Sequence, residues 1–302
     1  MHLDFHPYDL AAAIACRPYF AVCPDRFCDW TVGGIYMWRE YYTCRYAIAH
    51  GCLISAGGDE RRPYFSVPLG AGDREAALAA LEQHCADTGT PLRFATVSPA
   101  DTAWLVERYG SDTRVIHSGD SDDYLYNYTD LATMAGRRYS GQRNHINQFI
   151  KKFPDWQYAP ITADNVAAVQ DFLLALLHRK QEEELLSPTE LADITATMEI
   201  LPILEKLSMT GGVITVNGEV AGFSVGEVLG DTLFVHAEKG DLRYPGIYQM
   251  LVREYAAHTA APGLAYINRE DDSGDEGLRR SKRSYHPCTM LEKNLVIPPQ
   301  KG

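Results

Sequence analysis

Two carboxylates and an imidazole stand close together in an apolar, β-branched tract: Glu227, His236 and Glu238. Moving an acyl group onto an amine or hydroxyl requires a deprotonated acceptor, a stabilised oxyanion and a protonated leaving group. Glu227 and Glu238 lie near the ends of two runs that read as adjacent strands, where a carboxylate acts as a base directly or through water. His236 alternates in phase with Phe234 and Glu238, so it is expected on their face. Tyr285, on a later helix, offers a phenol that donates a proton to a leaving oxygen or sulfur. Each also has an ordinary reading. Strand carboxylates are usually solvated, and a strand histidine is more often a satisfied structural residue than a base.

A second set of residues would bind rather than react. Asn268-Arg-Glu-Asp271-Asp follows the short apolar run Leu264–Ile267, and ligands gather at the ends of buried strands in open α/β sheets. Asn268 and Asp271 are expected there, with Asp271 or Asp272 suited to an amino group of the ligand; a turn or helix cap competes with that role. Arg279, Arg280, Lys282 and Arg283 crowd one helix, with Glu276 placed for a surface ion pair with Arg279. Tyr139, Ile146, Phe149, Ile150 and Phe153 form the apolar stripe of another helix, with Arg143 and Asn147 at its rim. Arg143, Arg279 and Lys282 are expected to converge on one basic cleft that holds phosphate.

The loop Lys239-Gly-Asp-Leu-Arg243-Tyr-Pro-Gly246 leads into a helix at Ile247. Were an acyl-CoA bound, Arg243 and Gly246 would meet its pyrophosphate at the helix N-terminus. Pro245 removes one N–H donor and Tyr248 is bulky where phosphate must come close. Acetyl-CoA is therefore the less favoured donor.

The elements that carry these residues follow a recognisable order. Gly211–Val216 and Glu219–Val225 flank Asn217-Gly218, a strong hairpin signal, and Thr232–Glu238 reads as a third strand. A loop, a helix over Ile247–His258, a strand over Leu264–Asn268 and a helix over Asp275–Tyr285 complete a sequence of elements that resembles the GNAT acyltransferase core. The first half runs through a similar order. Tyr42–Ala49 and Pro63–Pro68 read as strands, Asp73 caps a helix, Leu92–Thr96 is a strand and Pro99–Tyr109 a helix. Two α/β units are expected, residues 1–125 and 126–302, each a mixed, mostly antiparallel sheet flanked by helices. The second carries the site.

Composition narrows the partners. The 302 residues are 46% hydrophobic, enough for two cores, and the formal net charge of −12 disfavours general binding to DNA or an anionic membrane. No apolar run approaches the roughly 20 residues of a spanning helix, and the N-terminus lacks a signal-peptide pattern. The seven cysteines include no CxxC pair, which favours reduced thiols and a cytoplasmic setting. His6 with Cys16, Cys23 and Cys28 is too irregular in spacing for a zinc site, so no metal is expected.

Two motifs carry a more specific resemblance. Asp130-Leu-Ala-Thr-Met-Ala-Gly136-Arg-Arg-Tyr139 with Arg143-Asn-His-Ile146-Asn-Gln-Phe149, and the closing tract Asn268–Pro287, resemble the bacterial family similar to the C-terminal domain of phosphatidylglycerol lysyltransferase. The resemblance covers Tyr124–Ile297. It implies a tandem GNAT fold and, from the membrane-bound members, transfer of an aminoacyl group from aminoacyl-tRNA to a lipid head group or another amine or hydroxyl acceptor. Two other readings stand beside it: an acetyl-CoA-dependent N-acetyltransferase acting on a small amine, and a non-catalytic protein that keeps a ligand-binding cleft.

Overall fold

Asn217 and Gly218 turn the chain between two β-branched runs. In the computed structural model, which describes residues 3–59, 62–184 and 186–299, both have positive φ, 52° and 82°. Two such residues in succession match the twist of a two-residue hairpin. In chain order the strands are β1 (His6–Pro7), β2 (Arg45–Ala49), β3 (Cys52–Gly57), β4 (Tyr64–Phe65), β5 (Phe94–Val97), β6 (Arg114–His117), β7 (Asp123–Asn127), β8 (Gln157–Pro160), β9 (Met209–Val216), β10 (Glu219–Leu229), β11 (Thr232–Gly240), β12 (Tyr266–Asn268), β13 (Thr289–Leu291) and β14 (Asn294–Ile297).

These strands form two seven-stranded sheets, ordered β1-β2-β3-β4-β5-β14-β6 and β13-β7-β12-β11-β10-β9-β8. Taken from β1 and from β8, the two have the same plan. Antiparallel neighbours β2, β3 and β4 correspond to β9, β10 and β11. The next pairing is parallel in both, β4 with β5 and β11 with β12. A parallel neighbour needs a crossover rather than a hairpin, and the helices Arg74–Thr88 and Ile247–His258 supply it. Asp73 caps the first of these by accepting the Ala76 N–H at 3.0 Å. The fold is thus a tandem α/β repeat with the GNAT order in each copy, and Asp73–Thr96 corresponds to Gly246–Asn268 in topology. Strand ends fall short of the apolar runs that suggested them: Tyr64–Phe65 is all that pairs of Pro63–Pro68.

The first sheet takes one strand from the far end of the chain. β14, at the chain's end, lies next to β5, and β7, which precedes the second copy's own strands, lies next to β12. The packed units are accordingly Met1–Asp123 with Asp271–Glu276 and Met290–Gly302, and Tyr124–Glu270 with Gly277–Thr289. A single cut at 125/126 passes through β7 and assigns β14 to the wrong sheet. Each strand looks like any other short apolar run, so the exchange has no local signature.

In the first unit Lys293, just before β14, is buried with its ammonium 2.6 Å from Asp29 and 2.7 Å from Asp123. The Cys28 sulfur lies 3.6 Å away. Cys28, Asp29 and Asp123 are ligand types gathered closely enough for a metal ion, and the lysine places its own cation among them. Among the described residues, no helix is long and apolar enough to cross a membrane.

In the second unit the Ser140–Lys152 helix packs Ile146 and Phe149 against Met250, Leu251 and Tyr255 of the crossover helix. The chain is also close at Gly246, where φ is 93° and an added Cβ would lie 2.8 Å from the His145 carbonyl oxygen. The missing side chain at Gly246 serves helix packing. Gly246→Ala is therefore expected to lower stability by about 1–3 kcal/mol, from backbone strain and overlap together. Chemical denaturation measures it, and a variant as stable as the parent would mean that the two helices are free to part.

Candidate functional site

The site is built on an irregularity between β10 and β11. Pairing runs inward from Leu229↔Thr232 to Gly226↔Val235, then resumes at Val225↔Ala237, leaving His236 as the extra residue. A β-bulge of this kind re-aims side chains and increases local twist. Gly226 permits it, because a Cβ there would collide with the Phe234 carbonyl. On the other edge of β11, the parallel ladder with β12 ends at Phe234↔Asn268. His236 and Glu270 lie two residues beyond that last pair, one on each strand.

There the His236 imidazole joins two carboxylates. Nδ1 lies 2.9 Å from Glu270 Oε1, and Nε2 lies 3.2 Å from Glu227 Oε1. Side-chain exposure is 1% for His236, 0% for Glu227 and 20% for Glu270. Burial alone would pull the imidazole pKa down, but hydrogen bonds and attraction from Glu227 and Glu270 outweigh it and raise it to about 9. At neutral pH the ring is an imidazolium donating from both nitrogens. Glu270 is the member of the three that reaches solvent.

Glu238 is not part of this chain. The bulge turns it to the other side of β11, where with Leu233, Val235 and Arg269 it lines a cavity of about 10 Å³. Arg269 donates to Glu238 Oε2 from Nη2 at 2.5 Å and Nε at 3.0 Å. The guanidinium carbon lies 4.8 Å from the Tyr285 ring centroid and 5.8 Å from that of Tyr126. The expectation that His236 and Glu238 share a face fails because it assumed an unbroken two-residue period. Tyr285 is a buried wall beneath the Arg269 cation, and burial pushes its hydroxyl above the usual range, partly offset by Arg269.

The binding residues expected from the sequence are dispersed. Asn268 is buried and accepts the Glu270 N–H at 2.6 Å. Lys282 turns inward and donates to the Arg269 carbonyl at 2.5 Å, so it does not join Arg143 and Arg279 in an open basic cleft. Arg143 donates to the Met134 and Gly136 carbonyls at 2.5 and 2.6 Å and closes the turn before its helix. Asn147 is exposed and Arg279 half-buried. Asp271 belongs to the first unit, where its Oδ1 accepts the Ser273 N–H and hydroxyl at 3.0 and 2.8 Å. Arg243 is held to Asp241 by bonds of 2.8 and 2.6 Å. Burial pushes the Asp241 carboxyl up, but Arg243 and Arg179 prevail and hold it below its ordinary value.

Sequence reasoning missed Glu270 and Arg269, although both lie in the tract it singled out. The usable signal was position: they are the first charged residues after a buried strand.

The raised imidazole pKa has a consequence for stability. An unfolded histidine titrates near 6.5, so the ion chain's contribution is fully present below that pH and is lost as pH rises towards about 9. The stability advantage of the parent over His236→Gln should therefore shrink between pH 6.5 and 9.5. Urea unfolding at several pH values measures this, and an advantage that is constant or grows with pH would show that His236 is neutral in the fold.

Known proteins share this fold. A conserved protein of unknown function from Bacteroides thetaiotaomicron is 30% identical, with a TM-score of 0.91 over 98% of this chain and 100% of that one. The C-terminal domain of a putative lysylphosphatidylglycerol synthetase from Agrobacterium fabrum has the same fold at 13% identity, with a TM-score of 0.67 over 96% and 92% of the two chains. An uncharacterised protein of Mycoplasmoides gallisepticum is 26% identical over 195 residues, 64% of this chain and 60% of that relative's length. Residues 20–296 match the model of the C-terminal region of phosphatidylglycerol lysyltransferase, and the chain belongs to that family.

Proposed function

We propose that this protein is an aminoacyltransferase in which Glu270, backed by His236 and Glu227, takes the proton from an attacking amine or hydroxyl. The observation that carries the reading is the Glu227–His236–Glu270 chain, which begins at a partly exposed carboxylate and ends at a fully buried one. The acceptor's lone pair attacks the ester carbonyl of the donor as its proton passes to Glu270. The buried imidazolium stabilises the remaining negative charge on the carboxylates. The tetrahedral intermediate then collapses, the ester C–O bond breaks and the leaving oxygen regains a proton.

Family membership favours aminoacyl-tRNA as donor and a lipid head group, or another amine or hydroxyl, as acceptor. Arg280 and Arg283 are exposed on the Glu276–Arg283 helix, and the Arg243 side chain is 73% exposed. In a protein of net charge −12, Arg280 and Arg283 are exposed groups that a polyanion would meet.

An acyl-CoA fits less well. The Ile247 N–H, at the start of the crossover helix, is already donated to the Tyr244 carbonyl at 3.0 Å. Pro245 has no N–H to offer, and the His145 carbonyl flanks Gly246. Acetyl-CoA should accordingly leave the thermal transition unmoved. A bound ligand at 100 times its dissociation constant would stabilise by about 2.7 kcal/mol, so a clear upward shift would favour acetyl transfer.

The direct test uses tRNA charged with a labelled amino acid, offered with phosphatidylglycerol vesicles and, separately, with soluble amines. Glu270→Gln should reduce the initial rate of transfer by about 100-fold or more, the usual contribution of a general base. A Glu270→Gln rate equal to the parent's would remove Glu270 from the reaction, and no transfer by the parent to any acceptor would overturn the enzymatic reading.

A further inference from the structure

Asn268 and Lys282 grip opposite ends of one peptide group. The peptide between Arg269 and Glu270 presents its carbonyl to the Lys282 ammonium at 2.5 Å and its N–H to Asn268 Oδ1 at 2.6 Å. Both side chains are buried, Asn268 at 0% exposed and Lys282 at 7%. Neighbouring backbone is clamped as well. The Arg269 N–H donates to the Tyr124 carbonyl and the Tyr124 N–H donates to the Glu270 carbonyl, each at 3.1 Å.

What this grip maintains is unusual. Glu270 has φ of 58°, in the left-handed region. A non-glycine residue held there costs on the order of 1 kcal/mol or more and persists only where its surroundings over-determine it. Rotating the Arg269–Glu270 peptide out of this conformation would swing the Glu270 carboxylate away from His236, 2.9 Å from it now. An ammonium buried to hold a carbonyl is costly to desolvate, and its bond is of the stronger, charge-assisted kind. An amide or a hydroxyl would satisfy a carbonyl at lower desolvation cost, so the lysine is there for the strength of its hold.

Building on the aminoacyl-transfer reading, we infer that Asn268 and Lys282 are positioning residues that lock the Arg269–Glu270 peptide and thereby aim Glu270 at His236. Neither touches substrate. Their role reverses the one expected from the sequence, in which both reach outward for a ligand.

The experiment follows the His236 ring by NMR through a pH titration of the full chain. Glu270→Gln sets the reference, lowering the His236 pKa by roughly one unit or more through loss of a carboxylate partner. Asn268→Ala and Lys282→Met should move it in the same direction by at least half as much. Asn268→Asp, which retains an oxygen acceptor, should titrate at or above the parent's value. Should Lys282→Met fail to fold, Lys282→Gln keeps a donor for the carbonyl and is read in its place, with a smaller downward shift expected. Folded Asn268→Ala and lysine variants that titrate with the parent would overturn the proposal. In the transfer assay Asn268→Ala should reduce kcat about tenfold with KM unchanged, and Asn268→Asp should restore it. If the parent shows no transfer, the aminoacyl reading fails while the titration still decides whether the two residues position Glu270.

Discussion

The second unit depends on an imidazolium held out of water between two carboxylates. A carboxylate as buried as Glu227 is costly to desolvate, by several kcal/mol even after relaxation, and His236 at 3.2 Å compensates it. The histidine reaches Glu227 because a bulge inserts it as an extra residue in β11, and the bulge closes because position 226 has no Cβ to strike the Phe234 carbonyl. Glu270 reaches the ring from the other strand only because its backbone is left-handed. Each of these features would be a defect if it stood alone, an unpaired residue, a cavity in the strand surface or a strained dihedral. They form a consistent set because one ion chain needs all of them, which is how local violations of regular structure mark a functional place.

Strands that lie before and after the second copy's own elements complete the two sheets. β7, which holds the Arg269 N–H and the Glu270 carbonyl through Tyr124, lies before the second copy's own elements in sequence. β14, which follows those elements, completes the first sheet. A segment beginning at residue 126 would lack Tyr124 and leave the strand end that carries Glu270 without its backbone clamp. The repeat is therefore two copies in plan, with the first sheet completed by β14 from the chain's end.

Much of the fold was legible in the sequence because its signals are local. Asn217-Gly218 sets a hairpin, Asp73 caps a helix, and the limits of Pro99–Tyr109 and Ile247–His258 match the periodic apolar positions. The site was legible only in its ingredients. Glu227 and His236 stand out by type, but their pairing depends on a bulge that two-residue alternation cannot represent, and the same slip sends Glu238 to the opposite face. Glu270 lay one residue from Asp271, the carboxylate that was preferred. The choice between them rests on a peptide orientation fixed by Asn268 and Lys282, groups distant from it or buried beneath it. Lys282 looked like one of four surface cations on a helix, and only packing reveals that it points inward.

Consecutive residues on one strand end serve two separate ion systems. Arg269 goes to Glu238 over the rings of Tyr285 and Tyr126, and Glu270 goes to His236 and Glu227 on the other side. Apolar Leu233 and Val235 line the Glu238 side of β11, and His236 faces the other side. Glu238 is the carboxylate that Arg269 holds, and it lies outside the Glu227–His236–Glu270 chain. The backbone links the two systems, because the peptide that aims Glu270 carries the Arg269 carbonyl. The arginine pair thus fixes the strand end mechanically, while the histidine chain is left to respond to charge.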